Sequence, residues 1–579
     1  MTLSSSTITP NPLQPTAPQA NARLHDLDNY VHSQLAQLTM GLSPASMAAA
    51  CLDWLGHLAV SPGKQQALAM HAVRSDAEGA GIEPQTTDRR FAASEWQQWP
   101  FDQIARTFQH NERWWLEATT GVHGVSAHHE QQAAFMARQI LDMWSPSNFL
   151  WTNPEVQHTT LKSGGANLLQ GARNQWQDTM RLLTGHSSAA SNGFQPGHDV
   201  AITPGKVVFR NHLIEVIQYT PKTPTVFAEP VLVVPPWIMK FYILDLTPAD
   251  SLVRYLVEQG HTVFIVSWLN PGAADRNLGM DDYLKFGVMA AMDVVSGIVP
   301  KRRIQALGYC LGGTLLSIAA AFMARSGDTR LNSLTLLTTE VDFSEPGDLS
   351  LFIDESQLNV LDDMMADKGY LDGSQMAGAF ALLNSRDLLW SRMVSAYLMG
   401  RSPPVNDLSS WNADATRMPY RQHSEYLSEL YRDNDLAQGR YKVDGKPVAL
   451  PDIRLPIFSL GTQRDTVAPW RSVYKIHLLT RSEVTFCLSS GGHNVGVVNP
   501  PGPGVSRSYQ LATQGVEDHY VDPDTWLATA PSQEGSWWPA WLTWLGRHAG
   551  KRMPPPTMGN EAAGYPVLDD APGRYVLIA

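Results

Sequence analysis

Cysteine is scarce in this chain, and its few cysteines are not arranged for a bridge or a metal. Only Cys51, Cys310 and Cys487 occur among 579 residues, and there is no Cys-x-x-Cys pair. Three cysteines without a closely spaced pair exclude a disulfide framework and a thiolate metal site. The chain also lacks His-Glu-x-x-His, a Gly-x-Gly-x-x-Gly loop after a strand, and a phosphate-binding Gly-x-x-x-x-Gly-Lys loop. We therefore expect neither a cofactor nor a metal.

Long apolar runs and an excess of basic charge are missing as well. The best apolar stretch, VLVVPPWIMKFYILDL (231–246), is broken by Pro235, Pro236 and Lys240, so we expect no transmembrane segment. The first twenty residues have no basic start and no apolar segment, which predicts no secretory signal and a cytoplasmic location. The 43 Lys and Arg against 55 Asp and Glu give a net charge of −12, which argues against a nucleic-acid partner.

Hydropathy patterning divides the chain into three parts. Ser, Thr and Pro dominate residues 1–22 and predict a disordered tail, while apolar residues at three- and four-residue spacing predict a helical domain over 23–200. Over 201–579 short apolar strands alternate with helices, which is typical of a parallel α/β sheet. The Met- and Trp-rich stretch at about 343–445 loses this alternation and predicts a cap inserted over the sheet edge. The predicted strands are a hairpin over 206–220, then 231–234, 262–267, 303–308, 333–338, 455–462 and 483–490.

One cysteine stands in a pattern that suits a nucleophile. A strand runs into Gly-Tyr-Cys-Leu-Gly-Gly and then into a helix, so Cys310 occupies the centre of a nucleophile-elbow motif in which serine is more common. Most apolar cysteines are inert core residues, but the neighbouring Gly308, Gly312 and Gly313 leave room for a strained turn. The start of the following helix would favour a thiolate over a thiol.

A nucleophile needs a base, and the base needs a carboxylate to orient it. His493 follows a predicted strand in SGGHNVG, at the place where an α/β hydrolase carries its base. Two acids follow strands, Asp465 in RDTVAPW and Asp342 in TTEVDF, and either could instead be a turn residue. We favour Asp465 because its strand directly precedes the strand that leads to His493. The order Cys310, Asp465, His493 predicts an α/β-hydrolase fold with a cap insertion.

An oxyanion hole requires two backbone N–H groups. The residue after the nucleophile, Leu311, is expected to give one, and the loop after strand 231–234 the other. Pro235 and Pro236 have no N–H, so Trp237 or Ile238 is the expected second donor.

Several quoted stretches together resemble one family, the polyhydroxyalkanoate synthases, which polymerise (R)-3-hydroxyacyl-CoA. The resemblance covers about residue 88 to the end, and the single-subunit class I enzymes, which favour short-chain substrates, are the most similar subgroup. The stretches that carry it are DRRFAASEW, SPSNFLWTNPE, PGKVVFRNHLIEVIQYTP, VVPPWIMKFYILDL, VSWLNP, LGYCLGGTL, RDTVAPW, GGHNVGVVNPP, GSWWPAWLTWL and APGRYV.

The resemblance implies a function and partners. It implies that Cys310 carries the growing acyl chain, that His493 is its base and Asp465 the acid, and that CoA is released. It also implies that the enzyme forms a homodimer and binds the surface of polyester granules. The helical N-terminal domain is implied to take part in both dimerisation and granule association. Six positions depart from the family pattern and leave chain-length preference and rate open: Met239, Leu269, Arg386, Ser391, Thr466 and Asn494.

Two other functions fit the same residues. A polyester depolymerase or acyl-CoA thioesterase would use the same cysteine triad but pass the acyl group to water. A weakly active, granule-associated synthase partner would fit the six departures. The helical N-terminal region and the C-terminal Trp cluster favour the synthase.

Overall fold

The computed structural model of the chain describes residues 41–78, 88–184, 193–401, 405–502 and 507–579, together with Val31, Gln34 and Thr39. The tail predicted over 1–22 lies outside these residues. Before residue 201 the described chain is helical, as the spacing of its apolar residues predicts. Its α-helices are Pro44–Ala59, Pro62–Glu78, Phe101–Thr119, Ala127–Met143, Pro154–Ser163 and Ala166–Thr184.

A large mixed sheet forms the centre of the rest of the chain. Its eleven strands lie in the order β14-β13-β12-β11-β6-β5-β3-β4-β2-β1-β15, and the six from β12 to β4 are parallel. Small two-stranded sheets pair β7 with β8 and β9 with β10. The strands are β1 Gly205–Arg210, β2 Ile214–Tyr219, β3 Val231–Val234, β4 Val263–Trp268, β5 Ile304–Tyr309, β6 Leu331–Leu337, β7 Tyr370–Leu371, β8 Met418–Pro419, β9 Lys442–Val443, β10 Lys446–Pro447, β11 Ile457–Thr462, β12 Val484–Ser489, β13 Ser508–Gln514, β14 Ser532–Glu534 and β15 Asp569–Asp570.

The parallel strands are apolar and buried at almost every position, which is the pattern of a sheet covered on both faces. Two hydrophobic cores lie against the sheet, one including Leu232 and Leu316 and the other including Val233 and Trp541. The helices that cover the sheet or follow its strands are Leu252–Glu258, Met280–Asp282, Ala290–Ile298, Leu311–Ser326, Trp470–Tyr474, Ile476–Leu479, Pro523–Thr529 and Trp538–Arg547.

The segment between β6 and β11, which we call the cap (343–445), is mostly helical. Met364, Met365 and Trp411 are buried in it. No helix in the described part of the chain is both long and apolar enough to span a bilayer. The α-helices of the cap are Glu355–Lys368, Gly373–Leu383, Ser391–Met393, Asp407–Ala413 and Tyr420–Glu425, and π-helical turns cover Arg386–Trp390, Val394–Leu398 and Tyr426–Arg432.

Candidate active site

The backbone at Cys310 is strained, as the elbow motif predicts. Cys310 directly follows β5 with φ 51° and ψ −126°, in a region that residues with a Cβ rarely adopt, and the helix Leu311–Ser326 begins at the next residue. Its own N–H donates to the carbonyl of Leu337 at the end of β6, at 2.9 Å. Its carbonyl accepts from the N–H of Gly313 at 2.8 Å. These bonds fix a turn that leaves the Cys310 side chain partly exposed at the carboxyl end of the sheet.

Three glycines make this turn sterically feasible. A Cβ on Gly308 would collide with the backbone of Gly313, and a Cβ on Gly312 with the carbonyl oxygens that end β3. A Cβ on Gly313 would collide with the side chain of Thr339. The elbow therefore packs directly against the loops that follow β3 and β6.

His493 and Asp465 form a hydrogen-bonded pair. The Nδ1 of His493 lies 2.8 Å from Oδ2 of Asp465, whose side chain is fully buried. Oδ2 also accepts from the Thr462 hydroxyl at 3.1 Å, and Oδ1 accepts from the N–H groups of Val467 and Ala468, each at 2.9 Å. Because Nδ1 is engaged by the carboxylate, Nε2 is the nitrogen left for a proton from elsewhere.

The Cys310 sulfur lies near enough to the imidazole to act on the pKa of His493. Burial alone would lower the pKa of His493, but the Asp465 carboxylate and the Cys310 sulfur together raise it well above its usual range. An imidazole that binds a proton this firmly suits the role of the base in a cysteine triad. The structure thus brings the three residues Cys310, His493 and Asp465 together.

Asp342, the other candidate acid, lies elsewhere in a turn. Its Oδ1 accepts from the N–H of Ser344 at 2.8 Å and from the Ser344 hydroxyl at 2.5 Å. The same oxygen accepts from the amide of Asn434 at 3.2 Å. Asp342 therefore stabilises the start of the cap, the ordinary role of a loop aspartate.

The C-terminal tryptophan helix holds the loop that carries His493. The indole N–H of Trp537 donates to the carbonyl of Gly496 at 2.9 Å, and that of Trp538 donates to the carbonyl of Val497 at 3.0 Å. Both rings are almost fully buried. The position of the base thus depends on a helix that follows it by more than forty residues.

Sequence reasoning missed a second support of His493. The hydroxyl of buried Tyr309 donates to Oδ1 of Asn494 at 2.6 Å, and the Tyr309 ring lies 5.6 Å from the imidazole of His493. This bond links the elbow to the histidine loop.

The loop after β3 is fastened by the cap. Thr416 donates through its hydroxyl to the carbonyl of Trp237 at 2.8 Å, and the Trp411 indole donates to the carbonyl of Lys240 at 2.7 Å. Trp237 is buried, while Ile238 is partly exposed. Leu311 stands in the first turn of its helix, where an N–H has no partner within the helix. The expected oxyanion donors thus belong to two elements that touch at Gly312.

Four of the other five positions that the sequence analysis singled out have local partners. Met239 forms an isolated bridge with Ala415 of the cap, and the N–H of Leu269 donates to Leu213. Arg386 makes ion pairs with Glu112 and Asp142 of the N-terminal helices, at 3.1 and 2.9 Å. The Thr466 carbonyl accepts from the N–H of Asp348. Nothing in the structure explains Ser391.

A cavity of about 1530 Å³ lies between the N-terminal helices, the cap and the loop of Asp465. Seven arginines and five acidic residues line it, and Arg90, Arg386 and Arg471 are paired with carboxylates. Arg464, next to Asp465, is another of the seven, and its N–H donates to the carbonyl of Gly491 in the histidine loop. The cavity thus borders the site without including Cys310. The lining arginines are Arg89, Arg90, Arg113, Arg138, Arg386, Arg464 and Arg471.

Three known families match parts of the chain. The family described as Poly-beta-hydroxybutyrate polymerase (PhaC) N-terminus matches residues 87–256, its companion N-terminal family matches 22–64, and the alpha/beta hydrolase fold matches 229–500. A solved monoacylglycerol lipase from Paleococcus ferrophilus aligns with 58% of this chain and 99% of its own, at 11% identity and a TM-score of 0.32.

Curated relatives cover most of the chain. The poly(3-hydroxyalkanoate) polymerase of Methylorubrum extorquens is 42% identical over 86% of this chain and 81% of its own. The poly(3-hydroxyalkanoate) polymerase subunit PhaC of Cupriavidus necator is 39% identical over 84% of this chain and 83% of its own. The expected fold class and the resemblance are both confirmed. The chain belongs to the poly(3-hydroxyalkanoate) polymerases, acyltransferases whose catalytic part has the α/β-hydrolase fold.

Proposed function

We propose that this enzyme polymerises (R)-3-hydroxyacyl-CoA into polyhydroxyalkanoate through an acyl-Cys310 intermediate, with release of CoA. The observation that carries the proposal is the elbow cysteine beside an imidazole whose other nitrogen is held by a buried carboxylate. Membership of the polymerase family supplies the substrate class. The reaction needs no cofactor, because the thioester itself provides the activated acyl group.

Acylation comes first. Nε2 of His493 takes the proton of the Cys310 thiol, and the thiolate attacks the thioester carbonyl. The N–H of Leu311, with that of Trp237 or Ile238, stabilises the charge on the carbonyl oxygen. CoA leaves with the proton from His493, so one thioester replaces another at little change in free energy.

Elongation uses the same base. His493 takes the proton of the 3-hydroxyl of an incoming hydroxyacyl-CoA, and that oxygen attacks the acyl-Cys310 carbonyl. An ester bond forms, and the Cys310 sulfur leaves and recovers the proton. The lengthened chain, now a CoA thioester, then acylates Cys310 again and releases its CoA. Asp465 holds the imidazole in one tautomer through both steps.

Water must be kept from the acyl-enzyme, or hydrolysis would replace polymerisation. The cap supports this requirement, because its residues Tyr426, Leu427 and Tyr431 are buried and Tyr426 packs on the ring of Trp237. The anionic end of CoA has the arginine-lined cavity beside Asp465 to accept its phosphates. Arg113 and Arg138 of that cavity lie on separate N-terminal helices.

We also propose a homodimer that acts at the surface of polyester granules in the cytoplasm. Large apolar side chains exposed on the N-terminal helices and their connections support this, since such patches mark surfaces that meet another apolar surface. They include Leu52, Val60, Trp144, Trp151, Leu161 and Trp176.

Incubation of the purified protein with (R)-3-hydroxybutyryl-CoA tests the proposal. Released CoA together with insoluble polyester is expected from the wild type, and neither is expected from Cys310→Ala. Cys487→Ala is the matched control, because Cys487 is fully buried in β12 away from the elbow. Free hydroxy acid as the only product would indicate the depolymerase or thioesterase. CoA release that stays at background in both the wild type and Cys310→Ala would indicate a partner protein whose triad is idle.

A saturated, non-extendable analogue locates the intermediate. Butyryl-CoA has no 3-hydroxyl, so the acyl group should remain on the enzyme after CoA leaves. Peptide mass spectrometry should then find the adduct on Cys310. An adduct on Cys51 or Cys487, with Cys310 unmodified, would overturn the assignment.

A further inference from the structure

A buried carboxyl group that the proposed mechanism does not use stands beside the elbow. Glu340 follows β6 and is only 5% exposed, and its Oε1 has no hydrogen-bond partner among the residues that the structure describes. The preceding Thr339 donates through its hydroxyl toward the carbonyl of Cys310 at 3.4 Å. The carbonyl of Glu340 accepts from the Thr314 hydroxyl in the elbow helix at 2.7 Å. These contacts of Thr339 and Thr314 hold the backbone around Glu340 against the nucleophile turn.

The surroundings of this carboxyl are those of the acyl site. Cys310, Asp465, His493 and Lys475 all act electrostatically on this carboxyl. On the cap side the carboxyl acts electrostatically on Tyr426 and Tyr431, whose ring centroids lie 5.1 Å apart. Glu340 therefore stands between the nucleophile turn and the cap.

Burial raises the pKa of Glu340 well above its usual range, and the negative charges of Cys310 and Asp465 raise it further. A raised pKa favours the protonated acid, which has one O–H to donate and oxygens to accept. A buried polar group without a partner is unfavourable, and an apolar side chain of similar size would stabilise the fold better. A ligand that hydrogen-bonds the acid would explain why the site holds a polar group.

We propose that Glu340 is a specificity residue that hydrogen-bonds the oxygen on carbon 3 of the acyl group held by Cys310. The inference rests on the proposed function and adds to it a means of recognising the substrate. In the first acyl-enzyme this oxygen is a hydroxyl, which can both donate to and accept from a carboxylic acid. After elongation it is an ester oxygen, which accepts the O–H of the acid. An acyl group without that oxygen leaves the buried acid unpaired, so it is bound less well.

Acylation of Cys310 by two thioesters tests this, measured as the single-turnover rate of CoA release. The wild type should react with (R)-3-hydroxybutyryl-CoA about tenfold to a hundredfold faster than with butyryl-CoA, as one lost buried hydrogen bond predicts. Glu340→Leu should reduce this preference to within about threefold, chiefly by slowing the hydroxyacyl substrate. Glu340→Gln keeps a donor and an acceptor and should keep most of the preference.

Infrared difference spectra give a second measurement on folded protein. The band of a protonated carboxyl should shift when the wild type is acylated with the hydroxyacyl group, not shift with butyryl, and be missing from Glu340→Gln. The inference is overturned if the wild type and Glu340→Leu prefer (R)-3-hydroxybutyryl-CoA over butyryl-CoA by the same factor. It is also overturned if the carboxyl band is the same with the hydroxyacyl and the butyryl group. The absence of any adduct on wild-type Cys310 overturns the proposed function instead, and this inference with it.

Discussion

Replacing Asp465 by asparagine should nearly abolish acylation, for a reason that follows from its hydrogen bonds. Oδ1 accepts from two backbone N–H groups, so that position must remain an oxygen in the variant. The amide NH₂ must then take the place of Oδ2, facing Nδ1 of His493. An N–H cannot accept from another N–H, so His493 must present a lone pair at Nδ1 and carry its proton on Nε2. In that tautomer it cannot take the proton of Cys310.

The size of the effect follows from the loss of the base. A wrong tautomer in a triad lowers kcat by about 10⁴, which corresponds to about 5 kcal/mol of transition-state stabilisation. We expect a loss of this order in Asp465→Asn, measured as the initial rate of CoA release from (R)-3-hydroxybutyryl-CoA. The melting temperature of the variant, measured in the same preparation, should show that it is folded.

Asp342→Asn is the matched control, because it makes the same chemical change at the other candidate acid. Asp342 bonds Ser344 and Asn434 and does not contact His493. We expect its rate to stay within about threefold of the wild type, as for a substitution outside the site. An Asp465→Asn enzyme that keeps more than about a tenth of the wild-type rate, or an Asp342→Asn enzyme that is equally impaired, would refute this reasoning.

Three further predictions concern stability, measured as the free energy of unfolding in urea. Gly313→Ala should lower the free energy of unfolding by about 1–3 kcal/mol, because the added Cβ overlaps the side chain of buried Thr339. Gly378→Ala, at an open helix position, should not lower it. Equal values for the two variants would contradict the packing argument. Arg90→Gln should lower the free energy of unfolding by about 3 kcal/mol, since it leaves buried Asp142 with one cation fewer. A change below about 1 kcal/mol would count against a stabilising ion pair between Arg90 and Asp142. Burial raises the pKa of Asp245 to about 6, so the folded state holds a proton that the unfolded chain releases near pH 4. Wild-type stability should therefore fall relative to Asp245→Asn by about 3 kcal/mol between pH 4 and pH 7, and parallel curves would exclude that shift.

The central sheet could be predicted from the sequence because its parallel strands are buried on both faces. Each of these strands is a short run of apolar residues followed by a turn, so local patterning suffices. The strands at the edges of the sheet or next to them give no such signal. Ser508–Gln514 is mostly half-exposed and polar, and Asp569–Asp570 is a two-residue strand that pairs with Lys206 and Val207, more than 350 residues earlier. Pairing over that distance depends on the whole fold, not on local patterning.

The residues of the candidate site could also be predicted from the sequence. The loops that follow parallel strands all lie at the carboxyl edge of the sheet, so the order of the strands indicates which loops meet there. Sequence reasoning preferred Asp465 to Asp342 on strand order alone, and the structure brings Asp465, not Asp342, to His493. It did not reach Glu340 or the bond between Tyr309 and Asn494. Both depend on the direction of a side chain at a position where its neighbours come from distant parts of the chain. Their roles in the reaction remain predictions.

The glycines of the elbow do more than relieve strain at Cys310. Each is kept free of a Cβ by a different neighbour: Gly308 by the backbone of Gly313, Gly312 by the loop after β3, and Gly313 by Thr339 after β6. The loop after β3 contains the expected oxyanion donors, and Thr339 directly precedes Glu340. Close approach at these glycines brings both loops near the Cys310 sulfur. The stretch from Gly308 to Gly313 therefore determines the position of the nucleophile and of the oxyanion loop. It also determines the position of Glu340, the acid that we propose recognises the substrate. A larger residue at any of the three would therefore be expected to disturb rate and substrate preference together.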